Sequence, residues 1–258
     1  MNYITNLKVL VTRPDKQAGN LCSLLERIDA IPVRLPVLEL VGIEPATKIR
    51  EVLDEIQRYR WLFFVSANAV NFALRANNGK IPNLQESCVI AIGQATAKAL
   101  QNAGINVDLV PDQGFNSEAV LALPELQQVQ GENCLIIRGR GGRELLRETL
   151  EMRGARVEYL EVYQRIQPQV DIIPVNKLLD NNELDVITIT STEALKNLLN
   201  ILESKKQQLF SIPLVVMSKR IGKMAVELGF QQVIISQQPS DTALVKAILN
   251  GGRSVRSN

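Results

Sequence analysis

The chemistry open to this chain is limited first by an omission: its 258 residues include no histidine. That removes Ser-His-Asp and Cys-His nucleophiles, the HExxH metal site, and the side chain best suited to carry protons near neutral pH. Three cysteines, Cys22, Cys88 and Cys134, stand far apart with no metal-ligand spacing. They read as small hydrophobes, and no metal is expected. What remains is a set of hydrogen-bond donors: Ser66-Ala-Asn68, Gly93-Gln-Ala-Thr96, Asn116-Ser117, Arg138-Gly139, Ser191-Thr192-Glu193, Ser218-Lys219 and Ser240-Asp-Thr242. A helix start offers unpaired N–H groups and a partial positive charge, so several converging on one cleft would hold an anion with many carboxylates or phosphates. Taken singly, Ser, Asn and Asp at such places are ordinary N-caps. As a set repeated in both halves, they favour a ligand cleft.

Two further features stand out. Arg138-Gly-Arg-Gly-Gly-Arg143 is a basic glycine turn after an apolar run. It lacks the Lys-Ser/Thr ending of a P-loop and does not fit GxGxxG, so a carboxylate-binding turn suits it better than a nucleotide site. Tyr163 lies in the extended segment Val162-Tyr-Gln-Arg165. A strand tyrosine is most often packing, but without histidine a phenol is one of few available proton donors.

The elements that must position these groups come in two copies. Subtracting 125 takes Arg138 to Arg13 and Leu146 to Leu21, and the same offset relates Ser66 to Ser191, Ala69 to Ala194, Gly93 to Ser218, Lys98 to Lys223, Gly104 to Gly229 and Ser117 to Thr242. Tyr163 breaks the symmetry, since its counterpart is Leu38. Continuous apolar runs alternate with helical patterns, which is how a parallel sheet covered on both faces reads.

In the first copy strands are expected at Lys8–Thr12, Trp61–Val65, Cys88–Ile92 and Val107–Val110. Helices are expected through Arg27 and at Thr47–Tyr59, Ala67–Ala76, Ala95–Ala103 and Ser117–Leu126. In the second, a strand at Leu135–Ile137 leads through a leucine-faced helix. Further strands are expected at Asp185–Thr190, Leu214–Met217 and Gln232–Ile235. The corresponding helices are Val175–Asn181, Thr192–Leu202, Arg220–Leu228 and Thr242–Asn250. Ile31–Val41 and Arg156–Ile166 are long extended segments. Residues 1–6 read as a frayed start and residues 251–258 as a tail with nothing to bury.

With 46% hydrophobic residues the chain can fill two cores, and a formal charge of +2 gives no global field for nucleic acid or an anionic membrane. No apolar run approaches the roughly 18 residues of a membrane span, and a reducing cytosol is expected.

These residues bring the chain to a family. It resembles uroporphyrinogen-III synthase over nearly its full length, through ValThrArgPro near the start, PheValSerAlaAsnAlaVal at 64–70, AlaIleGlyGlnAlaThrAlaLysAlaLeu at 91–100, LeuIleIleArgGly at 135–139, ValTyrGlnArg at 162–165 and ThrSerThrGlu at 190–193. The resemblance implies two similar α/β domains, each a parallel sheet flanked by helices, joined by a two-stranded linker. Residues 1–36 and 168–258 would form the first domain, 37–42 and 161–167 the linker, and 43–160 the second. The repeat alone equally allows a tandem cut near residue 125. The implied reaction is cofactor-free: hydroxymethylbilane, a linear tetrapyrrole with eight carboxylates, loses water and cyclises to uroporphyrinogen III with its last ring inverted. Loss of hydroxide leaves an azafulvene cation, attack by the substituted carbon of the terminal ring gives a spiro intermediate, and this fragments and recloses.

Carried over by position, Tyr163 matches a tyrosine proposed to assist departure of the hydroxyl. Ser66, Thr96, Ser117, Arg138, Ser191 and Thr242 match polar cleft positions. Asn68, Gly139, Thr192 and Ser218 join them as candidate substrate contacts. Ser218-Lys-Arg-Ile departs from the family, which often has a glycine and a threonine there. The expected protein is a cytoplasmic monomer that takes a small polycarboxylate, with no nucleic-acid or membrane partner. The alternative from a different class is a hinged two-lobe protein that closes on an anion without chemistry.

Overall fold

The computed structural model describes residues 6–255 apart from 83, 113 and 115, and for 252–255 the backbone only. The chain divides into two units: Met1–Glu39 with Ile166–Asn258 form unit 1, and Leu40–Arg165 form unit 2. The first half runs β1 (Lys8–Val11), α1 (Asp15–Glu26), β2 (Ile31–Arg34), β3 (Glu39–Gly42), α2 (Thr47–Asp54), β4 (Trp61–Phe64), α3 (Ala67–Ala76), β5 (Cys88–Ala91), α4 (Gln94–Asn102) and α5 (Ser117–Leu121). The second runs β6 (Asn133–Gly139), α6 (Leu145–Met152), β7 (Arg156–Ile166), α7 (Ile173–Asp180), β8 (Val186–Ile189), α8 (Thr192–Ile201), α9 (Lys206–Ser211), β9 (Leu214–Val216), α10 (Lys219–Leu228), β10 (Val233–Ile235) and α11 (Asp241–Val255).

Among the described residues, unit 1 holds a sheet ordered β10-β9-β8-β1-β2 and unit 2 a sheet ordered β3-β7-β6-β4-β5. Pairing is parallel at β1–β2, β1–β8, β8–β9 and β9–β10, and at β6–β7, β4–β6 and β4–β5. The offset of 125 carries β4 onto β8 and lays β9-β8-β1-β2 on β5-β4-β6-β7, so the repeat read in the sequence is a repeat of sheet order. Numbered by position in the repeat, unit 1 reads 2-1-3-4-5 and unit 2 reads 2-1-3-4 with β3 added beside strand 2, each a doubly wound sheet whose winding reverses between β1 and β8 in unit 1 and between β6 and β4 in unit 2. Each unit mixes the copies: β1 and β2 of the first copy sit beside β8, β9 and β10 of the second.

The strands read as unbroken apolar runs because both faces are buried. In β4, Leu62 and Phe64 face one core with Val70, Ala73 and Leu100, while Trp61 and Phe63 face the other with Val120, Leu146 and Leu150. In unit 1, Leu10 meets residues of α7, α8 and α10, whereas Val9 and Val11 meet α1 and α11.

Four expectations are corrected. Val107–Val110 forms no strand; Leu109 alone bridges Ile90. The cause is Asp108, whose Oδ2 accepts the Val89 N–H at 2.7 Å in place of a strand carbonyl; the equivalent position in β10 is Val233. Ser117–Leu126 is not one helix but α5 followed by a 3-10 turn at Pro124–Leu126, and Thr47–Tyr59 likewise breaks after Asp54 into a 3-10 turn at Ile56–Arg58. The tail is helical as far as Val255, and Gly251 lets α11 lie close on β10, since a Cβ there would stand 2.2 Å from Ile234 Cδ1. Residues 1–5 and 256–258 lie outside the described residues. Helix α9 has no counterpart among the elements expected from sequence.

Candidate active site

Open doubly wound sheets place ligands beyond the carboxyl ends of strands, at the reversal of winding. In unit 2 that point lies between the ends of β4 and β6. A pocket of about 270 Å³ is found there, lined among others by Val65, Ser117, Arg138, Gly139, Arg143, Tyr159 and Tyr163.

Tyr163 reaches this pocket through a fault in the ladder. Arg138 pairs with Glu161, but Gly139 pairs with Tyr163, so β7 carries one extra residue at that step. A bulge of this kind bends the strand and re-aims a side chain. Val162 and Tyr163 are consecutive in sequence, yet both join the same core with Leu62, Phe64 and Val70, which regular alternation would forbid. The Tyr163 ring stacks on Phe72 with centroids 5.2 Å apart, and its hydroxyl stands 3.4 Å from Ser66 Oγ. That separation is too long for a strong O–H···O bond and short enough for both hydroxyls to meet a third oxygen. Gly139 is required beneath the ring, since a Cβ there would be 2.5 Å from Tyr163 Cζ.

Arg138 is 6% exposed, and its donors turn back on the protein. Nε reaches the Gly139 carbonyl at 3.2 Å, Nη2 the Gly141 carbonyl, and Nη1 both the Arg143 carbonyl at 3.5 Å and Glu144 Oε1 at 3.2 Å. The guanidinium lies 4.5 Å from the centre of the Tyr159 ring, whose hydroxyl donates to Glu144 Oε2 at 2.6 Å. Gly141 and Gly142 both have positive φ, 73° and 116°, and a Cβ on Gly142 would stand 2.7 Å from Arg138 Nη2. Burial first, and then the Glu144 carboxylate, push the Tyr159 phenol up to about 12. Glu144 is held below the usual carboxylate range, chiefly by the Tyr159 hydroxyl and then by Arg138.

Of the residues singled out from sequence, Ser117, Arg138, Gly139 and Tyr163 line this pocket. Ser66 joins them through Tyr163 and also caps α3, accepting the Ala69 N–H at 3.1 Å. Asn68 lies in the first turn of α3, and Thr96, 5% exposed, in the first turn of α4; neither lines the pocket. Ser191, Thr192, Ser218 and Thr242 are in unit 1. Ser191 and Ser218 cap α8 and α10 by accepting from Ala194 and Ile221 N–H, and Thr192 opens α8. Thr242 sits in the first turn of α11, where Ser240 accepts the Ala243 N–H. Arg13, the counterpart of Arg138, pairs with Asp241, which also takes a 2.7 Å bond from Asn20. Sequence reasoning missed Glu144, Tyr159 and Phe72; the adjacent Gly141-Gly142 pair was the one sign of a turn wrapped around a side chain.

A duplicated doubly wound sheet with a polar pocket at its winding reversal defines an α/β protein built to hold a small ligand at its strand ends. Residues 20–246 match the family described as uroporphyrinogen-III synthase HemD. The uroporphyrinogen-III synthase of Escherichia coli K12 is 32% identical over 247 residues, covering 94% of this chain and all of that protein. The uroporphyrinogen-III synthase of Salmonella typhimurium is equally similar, 32% over 248 residues. The chain belongs to the uroporphyrinogen-III synthase family. Its fold is shared with the uroporphyrinogen III synthase of Thermus thermophilus, a triple mutant at 17% identity (TM-score 0.65, 96% of this chain and 99% of that one), and with the enzyme of Helicobacter pylori at 16% (TM-score 0.62, 95% and 99%).

Proposed function

We propose that this chain cyclises hydroxymethylbilane to uroporphyrinogen III, inverting the terminal pyrrole ring and releasing water, as a cofactor-free lyase of tetrapyrrole biosynthesis. The full-length match to the Escherichia coli enzyme carries this reading. The chemistry asks little of acid–base groups. Once hydroxide has left, the azafulvene cation reacts on its own, and the enzyme decides which carbon of the terminal ring it meets. That is a task of orientation and of contacts stronger in the transition state than in the substrate.

Tyr163 is assigned the departing hydroxyl. Its phenol O–H and Ser66 Oγ, 3.4 Å apart, form a pair that the leaving oxygen would bridge. Ser117 and the turn at Gly139, shaped by Arg138, are assigned to side-chain carboxylates, with Asn68 and Thr96 as further contacts in unit 2. Carboxylate contact is also assigned to Ser191, Thr192, Ser218 and Thr242 of unit 1. The chain crosses between units at Glu39/Leu40 and Arg165/Ile166, and we read residues 37–42 and 161–167 as the linker strands. The protein is read as a cytoplasmic monomer; among the described residues no helix is long and apolar enough to cross a membrane.

The test is to incubate the protein with freshly prepared hydroxymethylbilane, oxidise the products and separate the isomers. Isomer III in excess over the blank supports the assignment. Isomer I alone, as spontaneous closure gives, rejects it in favour of a binding protein without catalysis.

A further inference from the structure

A buried arginine beside a site for a polycarboxylate would ordinarily be read as the group that meets the substrate. The geometry points to a different division of labour. We propose that Arg138, Glu144 and Tyr159 form a brace that holds the glycine turn 139–143 in the shape the pocket requires, so that Glu144 and Tyr159 are positioning residues for substrate binding. This rests on the assignment of the pocket to the tetrapyrrole.

Three observations carry it. The Arg138 guanidinium directs Nε, Nη1 and Nη2 to the carbonyls of Gly139, Arg143 and Gly141 and to Glu144. A side chain so engaged and 6% exposed cannot turn a planar fork toward a ligand without releasing the turn. Next, Glu144 links the two partners of the turn, one carboxylate oxygen taking Arg138 Nη1 at 3.2 Å and the other the Tyr159 hydroxyl at 2.6 Å, while the Tyr159 ring supports the guanidinium face at 4.5 Å. Finally, the turn cannot hold its shape through its own sequence. Gly141 and Gly142 are both in the left-handed region, and glycine there is as free as anywhere in an unfolded chain. Something outside the glycines must fix them: Arg138 holds the carbonyls of Gly139, Gly141 and Arg143, and the Tyr163 carbonyl and Glu161 take the N–H groups of Arg140 and Gly141.

What the braced turn presents to the pocket is its backbone and the side chain of Arg143, 69% exposed and paired with Glu118 at 2.8 Å on the rim. Main-chain amides in such turns can form concave sites for anions; the Arg140 and Gly141 N–H groups are given to the Tyr163 carbonyl at 2.7 Å and to Glu161 Oε1 at 3.3 Å, which leaves those of Gly142 and Arg143 for a carboxylate. Loosening the turn therefore weakens carboxylate binding, while the Tyr163–Ser66 pair keeps supports outside the turn, the ring on Phe72 and Ser66 at the start of α3.

Two measurements on Tyr159→Phe, Glu144→Gln and Glu144→Ala test this in the full-length protein. Limited trypsin digestion reads the turn directly, because Arg140 and Arg143 lie in it. Cleavage after these residues is expected to accelerate about tenfold in Glu144→Ala, less in Glu144→Gln, which keeps an acceptor for Tyr159. Steady-state kinetics with hydroxymethylbilane are expected to show KM raised about five- to tenfold, with kcat within twofold, in the same order. Cleavage at the wild-type rate in all three variants overturns the brace, and faster cleavage with unchanged KM overturns the positioning role. If the wild-type protein yields isomer I alone, the assigned reaction fails, and the digestion arm still decides whether the brace exists.

Discussion

Tyr163 belongs at once to a hydrophobic core and to a polar pocket, and the two roles separate by atom. The ring is held by Phe72 and by the absent side chain of Gly139; the hydroxyl alone reaches Ser66. Tyr163→Phe keeps the ring and is expected to leave the unfolding midpoint in urea nearly unchanged while lowering kcat on the order of 10²-fold, the low end for a positioned proton donor. Activity equal to wild type would return the residue to packing alone. Gly139→Ala forces a carbon against the ring at 2.5 Å, so the same urea titration should show a loss of about 1–3 kcal/mol, typical of overpacking. Neither contact was legible in the sequence, which marks Tyr163 by its contrast with Leu38, by the lack of histidine and by its match to the family's tyrosine, and none of these says what holds it. The bulge that aims it depends on a mismatch in length between β6 and β7, and no residue type announces that. Arg138 was legible as important but not in its role, because whether a basic turn faces outward or folds around its own arginine is decided by φ at Gly141 and Gly142.

At the level of elements, helix starts were the most legible feature, because capping is a local exchange between one side chain and one N–H. Ser66 and Ser191, separated by the repeat distance, cap α3 and α8 at 3.1 and 3.0 Å. Ser66→Ala and Ser191→Ala should each cost about 1 kcal/mol in thermal unfolding. Ser66→Ala also removes the hydroxyl beside Tyr163, whereas Ser191 is assigned only a carboxylate contact, so Ser66→Ala should lose the larger share of kcat. A kcat equal to wild type in Ser66→Ala would mean that Ser66 acts purely as a cap. The paired glycines behave alike too, Gly104 at φ 75° and Gly229 at φ 111° both following helices. Val107–Val110 was read wrongly for the opposite reason. Strand formation there depended on a neighbour, and Asp108 bonded to Val89 removes the need for a longer ladder.

At the level of the whole molecule the repeat told how many sheets to expect but could not tell which strands share one, since both copies carry the same pattern. Chemistry is also unequal between the units. Among the described residues, burial raises Tyr59 and Tyr159 to about 12, Cys88 to about 11 and Cys134 to about 12, and all four lie in unit 2. A group whose pKa rises on folding contributes stability at pH values below its unfolded pKa and loses it as pH climbs through the folded value. Unit 2 should therefore weaken between about pH 9 and pH 12, followed by Tyr ionisation at 295 nm and by near-ultraviolet melts. Tyr159→Phe should flatten the upper part of that slope.

A fragment of residues 40–165 should melt cooperatively by itself, whereas removing residues 1–39 should unfold the rest of unit 1, because it takes away two of the five strands of that sheet, β1 and β2, and α1, which covers Val186 and Val215. The position of β1 also bears on synthesis. Thr12 is bonded to the carbonyl of Thr188 and Lys8 to Asp185, partners that leave the ribosome some 175 residues later. Unit 2 can close while the chain is still growing, but the first strand made is among the last to find its place. Its apolar Val9-Leu10-Val11 stay without their β8 partners throughout that wait, when an exposed strand is prone to pair with other chains.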